Sequence, residues 1–349
     1  MSPFDPTQRV PLGRSGVSVT RLGLGTAEIA GLYRPVSDDD AVGLVRHAWD
    51  AGVRYFDTAP LYGYGNGERR LGLGLRDRDR EAFALSTKVG RLLVPRDKVS
   101  PEAVVDRQQR DGVDDAFYVG TPPVRPVFDF SRDAVTRSLE ESLRRLDLDR
   151  VDVAYIHDPD EHWEAAVGGA YPALHALREA GVVRAIGAGM NQAAMLARFA
   201  REGDFDVFML AGRYTLLDQT GLAELLPLCV AKDISVVAAG IMNSGLLADP
   251  KPGAMFNYVP APPQLVDRAR RIRDVCARHG VGIRAAAIQF PLAHPAITAI
   301  VAGVRSVDHF DDYPRLLREP IPDALWAELR AERLIAPGAP VPTAGAGNG

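Results

Sequence analysis

The sequence predicts a closed (β/α)8 barrel. Eight short apolar segments of strand-forming residues alternate with helix-like segments along the 349 residues. Continuous apolar strands that alternate with helices indicate a parallel sheet covered on both faces. Eight such units in a chain of this length favour a barrel. An open doubly wound sheet is the alternative, but the chain contains no G-x-G-x-x-G or P-loop motif.

The repeating units follow a predicted N-terminal β-hairpin at residues 10–12 and 17–19. Strands are expected at 22–24, 54–56, 82–88, 151–156, 183–187, 206–210, 234–238 and 297–301. Helices are expected at 37–49, 67–75, 131–145, 163–180, 192–201, 222–231, 263–279, 284–290, 307–317 and 323–334. Ser37 and Ser131 begin two of the helices as N-caps, since a serine hydroxyl accepts a hydrogen bond from the first helical turn. The barrel is therefore expected to occupy residues 10–335 as a single domain.

Two segments depart from the repeat. Residues 91–130 form a long polar insertion between the third strand and its helix, rich in Pro, Asp and Arg. In a barrel this insertion lies over the catalytic mouth, where long loops shape a substrate site; a mobile surface loop is the alternative. The tail at 336–349 consists mainly of Pro, Gly and Ala and is expected to be disordered.

The composition excludes several classes of partner. A formal net charge of −4 argues against nucleic acid, which needs a basic face. Cys229 and Cys276 lack the spacing of metal ligands, so neither a zinc site nor a disulfide is expected. The first residues lack a signal-peptide pattern, and no apolar run approaches the ~20 residues of a membrane span. We expect a soluble cytoplasmic protein without a membrane partner, either monomer or homodimer.

Polar groups stand where the predicted strands end. Asp57 ends the second strand and Tyr62 follows in a Gly-rich loop, while Lys88 and His157 end the third and fourth strands. Taken singly, each has a plain structural explanation as a turn former, a packing aromatic, a solvated strand end or a core histidine. Because the carboxyl ends of barrel strands meet at one mouth, the four together point to an active site.

These four side chains suit proton transfer to or from a hydroxyl or carbonyl group. A free phenol has a pKa of ~10, too high for an efficient base near neutrality. A neighbouring ammonium favours the phenolate, so Lys88 is expected to activate Tyr62, with Asp57 holding Lys88 charged. His157 is expected to donate to the substrate oxygen. The residues alone do not specify an electron acceptor.

The sequence resembles the aldo-keto reductases over about residues 10–335. The likeness lies in L-G-L-G-T at 22–26, F-D-T-A-P-L-Y-G at 56–63, S-T-K-V-G at 86–90 and I-H-D at 156–158. The resemblance implies a barrel that binds a nicotinamide dinucleotide without a Rossmann fold. It also implies a catalytic tetrad of Asp57, Tyr62, Lys88 and His157, with Tyr62 as general acid or base.

Three further stretches are similar to the NAD-linked aldose 1-dehydrogenases, which act on L-fucose and D-threo-aldoses, and to the pyridoxal dehydrogenases. They are G-L-Y-R-P-V-S at 31–37, L-A-G-R-Y-T-L-L at 210–217 and M-N-S-G-L-L at 242–247. The resemblance thus implies oxidation of a small sugar at its anomeric carbon to a lactone. The alternatives are reduction of a carbonyl metabolite or oxidation of pyridoxal at the same site. An alternative of another class is a non-catalytic nucleotide-binding regulator.

The resemblance also implies a set of cofactor-binding residues. Asn191 matches the amide that holds the nicotinamide carboxamide, whereas Ala211 and Ala239 stand where many members carry a glutamine and a ring-stacking aromatic. The role of Tyr214, close by, stays open. The full implied set is Thr26, Asp57, Asn191, Gly240, Ile241, Met242, Gly245, Leu246, Gly303, Arg305, Ser306, His309, Asp312 and Tyr313.

The adenosine end of this set favours NAD over NADP. Members that prefer NADP place cations there, because a 2′-phosphate needs charge-assisted donors. Gly303 and His309 occupy two of those positions in this chain. Arg305 remains a candidate phosphate partner, so NADP is the alternative cofactor.

Overall fold

A closed barrel of eight parallel strands forms the body of the protein in the computed structural model, which describes residues 4–109, 112–257 and 259–343. From first to eighth, the barrel strands are Leu22–Gly25, Tyr55–Asp57, Ala84–Val89, Val153–His157, Ala185–Met190, Val207–Ala211, Ser235–Ala239 and Ile297–Gly303. The eighth strand pairs with the first and closes the barrel, with Gly303 opposite Gly25. The predicted (β/α)8 fold is confirmed, and the open sheet is excluded.

Helices cover the outside of the barrel between successive strands. They are Asp38–Asp50, Asn66–Leu75, Arg132–Leu146, Trp163–Ala165, Tyr171–Glu179, Ala193–Glu202, Leu225–Ala231, Pro263–Arg278, Ile283–Gln289, Val307–Leu317 and Asp323–Ala331. The two expected serine caps are present: the Ser37 hydroxyl accepts from the Asp40 amide at 3.1 Å and that of Ser131 from the Ala134 amide at 3.3 Å. The helix expected at 163–180 is interrupted by a π-helical turn, Ala166–Ala170, which contains two consecutive glycines.

The N-terminal hairpin closes the amino-terminal end of the barrel. Its strands, Arg9–Pro11 and Ser18–Thr20, pair antiparallel. Leu12, Val17 and Val19 are buried in one apolar cluster with inward-facing residues of the barrel strands. With that end filled, the opposite mouth, at the carboxyl ends of the strands, is the end left for a site.

The insertion at 91–130 is partly a β-hairpin, which corrects the expectation of a long loop. Arg91–Pro95 pairs antiparallel with Val124–Phe128. Prolines at 95, 122, 123 and 126 weaken the strand pattern in the sequence, because proline cannot donate to a sheet. The segment between these strands packs on the loops after the first two barrel strands: Tyr64 donates to Asp115 at 2.7 Å and the Val119 amide to the Gly31 carbonyl at 2.9 Å. A short pair, Met255–Phe256 and Val259–Pro260, was also not predicted.

The first part of the tail is ordered. Ala339 is buried, and its carbonyl accepts from Arg330 at 2.7 Å, while the Ala336 amide donates to Gln219 at 3.3 Å. For residues 336–343 the expectation of disorder is therefore wrong, since side chains of the barrel bind the backbone of the tail. Residues 344–349 lie outside the described residues. In the described part of the chain, no helix has the length and apolarity that crossing a bilayer requires.

Two helical glycines provide a matched test of this packing. A β-carbon at Gly72 would lie 2.0 Å from the Leu146 carbonyl oxygen, whereas one at Gly43 would meet nothing within 4 Å. We expect Gly72→Ala to lower the free energy of unfolding by about 1–3 kcal/mol. Gly43→Ala should raise it by about 1 kcal/mol, because alanine favours the helix. Urea denaturation followed by circular dichroism measures both, and equal changes would contradict the close helix contact.

Candidate active site at the carboxyl ends of the barrel strands

The barrel brings together the four groups that the sequence singles out. Asp57, Lys88 and His157 end or nearly end the second, third and fourth strands, which are neighbours in the barrel, and Tyr62 begins the short 3₁₀ turn Tyr62–Gly65. Only 2% of Asp57, 1% of Lys88 and 6% of His157 is exposed. The site is therefore a largely desolvated cluster, in which each charge requires a partner.

Asp57 and Lys88 form a buried ion pair. The Lys88 ammonium donates to Asp57 Oδ2 at 2.7 Å and to the Thr58 carbonyl at 2.9 Å. The second carboxylate oxygen of Asp57 accepts from the Ser86 hydroxyl at 2.7 Å. Both ions thus have hydrogen-bond partners in addition to each other, which a buried pair needs if it is to offset its desolvation.

Tyr62 lies between the lysine and the histidine. Its ring centroid is 4.6 Å from the Lys88 ammonium nitrogen and 5.8 Å from the His157 ring, which meets it edge-on. A phenol beside an ammonium and an imidazole can exchange a proton with a substrate oxygen while the imidazole orients that oxygen. The structure thus brings these side chains together as expected from the sequence, and their role in proton transfer stays a prediction.

His157 is held in its neutral form. Burial lowers the pKa of His157 well below its usual range, and the nearby charges of Arg91 and Lys88 lower it further. A neutral imidazole has one N–H to donate and does not add a second positive charge beside Tyr62. His157 therefore suits the orientation of a neutral hydroxyl or carbonyl group.

Arg91 connects His157 to the insertion. Its guanidinium donates to the His157 carbonyl at 2.8 Å and to Asp106 of the insertion at 2.6 Å, and lies 4.5 Å from the centre of the Phe128 ring. The neighbouring Asp158 carboxylate is 3.3 Å from His157 Nε2 and 35% exposed. Desolvation raises the pKa of Asp158 to about 6, although the positive charge of Arg91 acts to lower it.

The predicted nicotinamide-binding residues surround the same mouth. Thr26 follows the first strand, where its hydroxyl donates to Thr58 at 2.8 Å. Asn191 follows the fifth strand directly. The turn after the seventh strand contains the other predicted contacts, Gly240, Ile241, Met242, Gly245 and Leu246.

Tyr214 belongs to the protein core. It is 1% exposed, packs against Phe290 and His294, and its hydroxyl has no hydrogen-bond partner among the described residues. The role left open by the sequence is therefore packing, because the aromatic ring is enclosed by other core residues.

The predicted adenosine segment begins at the end of the eighth strand. Gly303 ends that strand, and Arg305 donates to Glu28 Oε2 through Nε at 3.0 Å and also through a terminal nitrogen. The Ser306 hydroxyl caps the helix Val307–Leu317 by accepting from the His309 amide at 3.3 Å. The Arg305 cation is thus paired with a carboxylate, and this helix start is capped by its own serine.

Two further residues of this segment have structural partners. The Asp312 carboxylate accepts from Arg284 at 2.6 Å and from Arg315 at 2.8 Å. Tyr313 is 5% exposed and lies among core residues. Binding of the cofactor by Asp312 and Tyr313 remains a prediction, and both residues also stabilise the segment.

The sequence reasoning missed the groups that support the four central residues. Ser86 and Thr58 complete the hydrogen bonds of the ion pair, and Arg91 holds His157. Ser86 could have been found, because it lies two residues before Lys88 on one strand and side chains alternate between strand faces. No sequence pattern predicts the contacts of Arg91 and Glu28, because their partners are distant along the chain.

The sequence matches known proteins over most of its length. The sequence profile of the Aldo/keto reductase family matches residues 21–332. A D-threo-aldose 1-dehydrogenase of a Pseudomonas species is 41% identical over 92% of this chain and 96% of that protein. A pyridoxal 4-dehydrogenase of Microbacterium luteolum is 40% identical over 95% and 98%.

Solved structures share the fold. An aldo-keto reductase from Bacillus halodurans superposes with a TM-score of 0.73, covering 97% of this chain and 99% of that one. Its sequence identity is 21%, so this likeness supports the fold alone.

The neutral state of His157 can be observed directly. In nuclear magnetic resonance spectra of protein labelled with nitrogen-15 in its histidines, we expect the His157 ring signals to stay neutral as the pH falls through 6.5, the ordinary pKa. The reason is that burial and two nearby cations disfavour the imidazolium. His157→Asn assigns the signals by their loss. A His157 signal that titrates with a midpoint near ~6.5 would contradict the proposed electrostatics.

Proposed function

Because the chain belongs to the aldo/keto reductase family, we propose that it oxidises the anomeric hydroxyl of a cyclic sugar to a lactone. The enzyme is an oxidoreductase that uses a nicotinamide cofactor, and in reverse the same groups reduce an aldehyde or ketone. The observation that carries the proposal is the contact of Tyr62 with the buried Lys88 and His157 in one mouth. The 41% likeness to a D-threo-aldose 1-dehydrogenase supports the choice of substrate class.

In this proposal Tyr62 is the general base of the oxidation. The Lys88 ammonium, 4.6 Å from the phenol ring, stabilises the phenolate that accepts the proton of the sugar hydroxyl. Asp57 keeps Lys88 charged and fixes its position through the 2.7 Å contact. In the reverse direction the Tyr62 phenol returns its proton to the carbonyl oxygen as that oxygen gains negative charge.

His157 positions the reacting oxygen. Its neutral ring meets the Tyr62 ring edge-on, so one substrate oxygen can contact both groups. Arg91 fixes the backbone of His157 and at the same time binds the insertion through Asp106. This link to His157 supports the proposal that the insertion shapes the part of the pocket that receives the rest of the sugar.

The residues around the mouth fit a nicotinamide dinucleotide. The Asn191 amide can both donate to and accept from a carboxamide. Gly240 and Gly245 have φ angles of 59° and 90°, and glycine at such angles lets backbone approach a ligand closely. When bound, the dinucleotide supplies the hydride acceptor or donor of the reaction.

NAD is the proposed cofactor. Arg305, the candidate partner for a 2′-phosphate, already binds the Glu28 carboxylate. That carboxylate would repel a phosphate, whereas it can accept a hydrogen bond from the free ribose hydroxyl of NAD. Glu28 is 23% exposed in its side chain, so its charge is only partly screened by solvent.

Pyridoxal is the second candidate substrate. The 40% likeness to a pyridoxal 4-dehydrogenase favours it. Pyridoxal and aldoses both close into cyclic hemiacetals, whose oxidation gives a lactone, so one site could serve either compound. Reduction of another carbonyl metabolite uses the same groups in the opposite direction.

We expect turnover with NAD of at least one of L-fucose, D-arabinose, L-galactose and pyridoxal. The initial rate of increase in near-ultraviolet absorbance, from the reduced cofactor, measures it. Tyr62→Phe should lower kcat by about 10²–10⁴-fold, because it removes general base catalysis. Binding of NAD, followed by protein fluorescence, should change little.

Tyr214→Phe is the matched control, since it removes a buried hydroxyl from the core and should retain full activity. Equal turnover by Tyr62→Phe and wild type would disprove the role of Tyr62. Tight cofactor binding without turnover of any sugar or aldehyde would instead disprove the proposed substrates.

A second prediction concerns the cofactor. With the preferred substrate, kcat/KM should be higher for NAD than for NADP. Glu28→Gln should lower that ratio by about tenfold, which corresponds to about 1.4 kcal/mol, by removing a repulsive charge and freeing Arg305.

Glu332→Gln provides the control for this prediction, since Glu332 is a partly exposed carboxylate that also pairs with arginines, away from the predicted adenosine segment. A wild-type enzyme that prefers NADP, or a ratio unchanged by Glu28→Gln, would overturn the proposed role of the Glu28–Arg305 pair.

A further inference from the structure

A layer of hydroxyl groups lies inside the barrel directly beneath the active site. Tyr55, Ser86 and Tyr155 each precede a central residue, Asp57, Lys88 or His157, by two positions on the same strand. Because side chains alternate along a strand, residues two apart face the same side. These three residues therefore point into the barrel one layer below the site, where aliphatic side chains usually fill the interior.

The three hydroxyls form a continuous chain that ends on Asp57. The Tyr155 and Tyr55 oxygens are 3.3 Å apart, and the Tyr55 oxygen is 3.2 Å from Ser86 Oγ. Ser86 Oγ is in turn 2.7 Å from Asp57 Oδ1. All three residues are fully buried, so solvent does not compete for these contacts.

The donor and acceptor of each hydrogen bond in the hydroxyl chain follow from the Asp57 carboxylate at its end. A carboxylate only accepts, so Ser86 donates to Asp57. The Ser86 hydroxyl has then used its one proton and accepts from Tyr55, and Tyr55 by the same reasoning accepts from Tyr155. Burial raises the pKa of both phenols, so both keep the protons that they donate.

Two glycines make room for the tyrosine rings. A β-carbon at Gly23 of the first strand would lie 2.6 Å from the Tyr55 ring, and one at Gly187 of the fifth strand 2.7 Å from the Tyr155 ring. These strands flank the second and fourth strands, which carry the tyrosines. The hydroxyl chain is thus accommodated by the residues on both sides of it.

We propose that Tyr155, Tyr55 and Ser86 are positioning residues that act through Asp57 to set the proton affinity of Tyr62. This inference rests on the proposed function, in which Tyr62 accepts the substrate proton. Three hydroxyl dipoles with their hydrogens toward Asp57 partly offset its negative charge, and hydrogen bonds in a chain polarise one another. The Lys88 ammonium then stabilises the Tyr62 phenolate with less opposition from Asp57.

Other ionisable groups also act on this site. Lys88 and His157 face Tyr62 from the third and fourth strands, and Asp158 and Arg91 lie beyond His157. His157 stays neutral well below its ordinary pKa. None of these groups belongs to the hydroxyl chain. Removing a hydroxyl of Tyr155, Tyr55 or Ser86 therefore tests the hydroxyl chain separately from them.

The test is the titration of Tyr62 by ultraviolet difference absorbance, taken between each protein and the same protein with Tyr62→Phe. Removing a hydroxyl should raise the midpoint, because more of the Asp57 charge then opposes the phenolate. We expect an increase of about 0.5–1 pH unit for Ser86→Ala, less for Tyr55→Phe and least for Tyr155→Phe. The acid limb of kcat/KM for sugar oxidation should move upward by the same amounts.

Tyr214→Phe is the control for loss of a buried phenol hydroxyl, and its midpoint should equal that of the wild type. Ser86→Thr keeps a hydroxyl and should restore the midpoint. If Ser86→Ala does not fold, the two tyrosine variants carry the test, since phenylalanine keeps the ring in place.

The proposal is overturned if the titration midpoint of Tyr62 stays within about 0.2 pH unit of the wild-type value in every hydroxyl-chain variant that folds. Lower rates with an unchanged acid limb of kcat/KM would also overturn it, because they indicate a purely structural role for the hydroxyl chain. Graded midpoints without turnover of any substrate would support the hydroxyl chain and refute the proposed function, so the two failures are distinguishable.

Discussion

The ion pair of Asp57 and Lys88 is the interaction on which the rest of the site depends. An ammonium that is 1% exposed cannot remain charged in a barrel interior without partners, and removing one member of a buried pair typically costs about 3–5 kcal/mol. Here the Asp57 carboxylate and the Thr58 carbonyl accept from the ammonium, and the Ser86 hydroxyl donates to the carboxylate. The pair in turn fixes a positive charge 4.6 Å from the Tyr62 ring, which is the feature that makes a phenol useful near neutral pH.

The same positive charge separates the roles of the two proton-bearing rings. Lys88 favours loss of a proton from Tyr62, and together with burial and Arg91 it disfavours gain of a proton by His157. In the proposed mechanism, the Tyr62 ring then accepts a proton, and the His157 ring remains neutral and donates a hydrogen bond. Arg91 also binds Asp106, so the position of His157 is physically connected to the insertion.

Closure of the barrel explains how distant parts of the chain meet at the cofactor end. The first and eighth strands are neighbours, so the loop that follows each lies beside the other. Glu28 from one loop and Arg305 from the other are 277 positions apart in sequence and form an ion pair. The contact on which the proposed preference for NAD rests therefore exists only because the sheet closes.

Much of this protein could be predicted from its sequence. The alternation of apolar strands with helices determined the (β/α)8 barrel, and the polar residues at the strand ends identified Asp57, Tyr62, Lys88 and His157. The fold prediction is confirmed because hydrophobic periodicity is a local property of the chain, and the barrel brings the four residues together while their catalytic roles stay a prediction. The proline-rich insertion and residues 336–343 were misjudged, because their order comes from contacts with remote residues such as Gly31 and Gln219.

Only the tertiary structure decided which groups support the four central residues. Alternation along a strand places Ser86 on the same face as Lys88, yet nothing in the sequence states that Tyr55 and Tyr155 continue that contact from neighbouring strands. The register between strands, the space left by Gly23 and Gly187, and the pairing of Glu28 with Arg305 are all set when the sheet closes. The sequence by itself determined the fold and the four side chains that meet at one mouth. The three-dimensional packing determined the charges and hydrogen bonds around them, because those act across space between residues far apart in the chain.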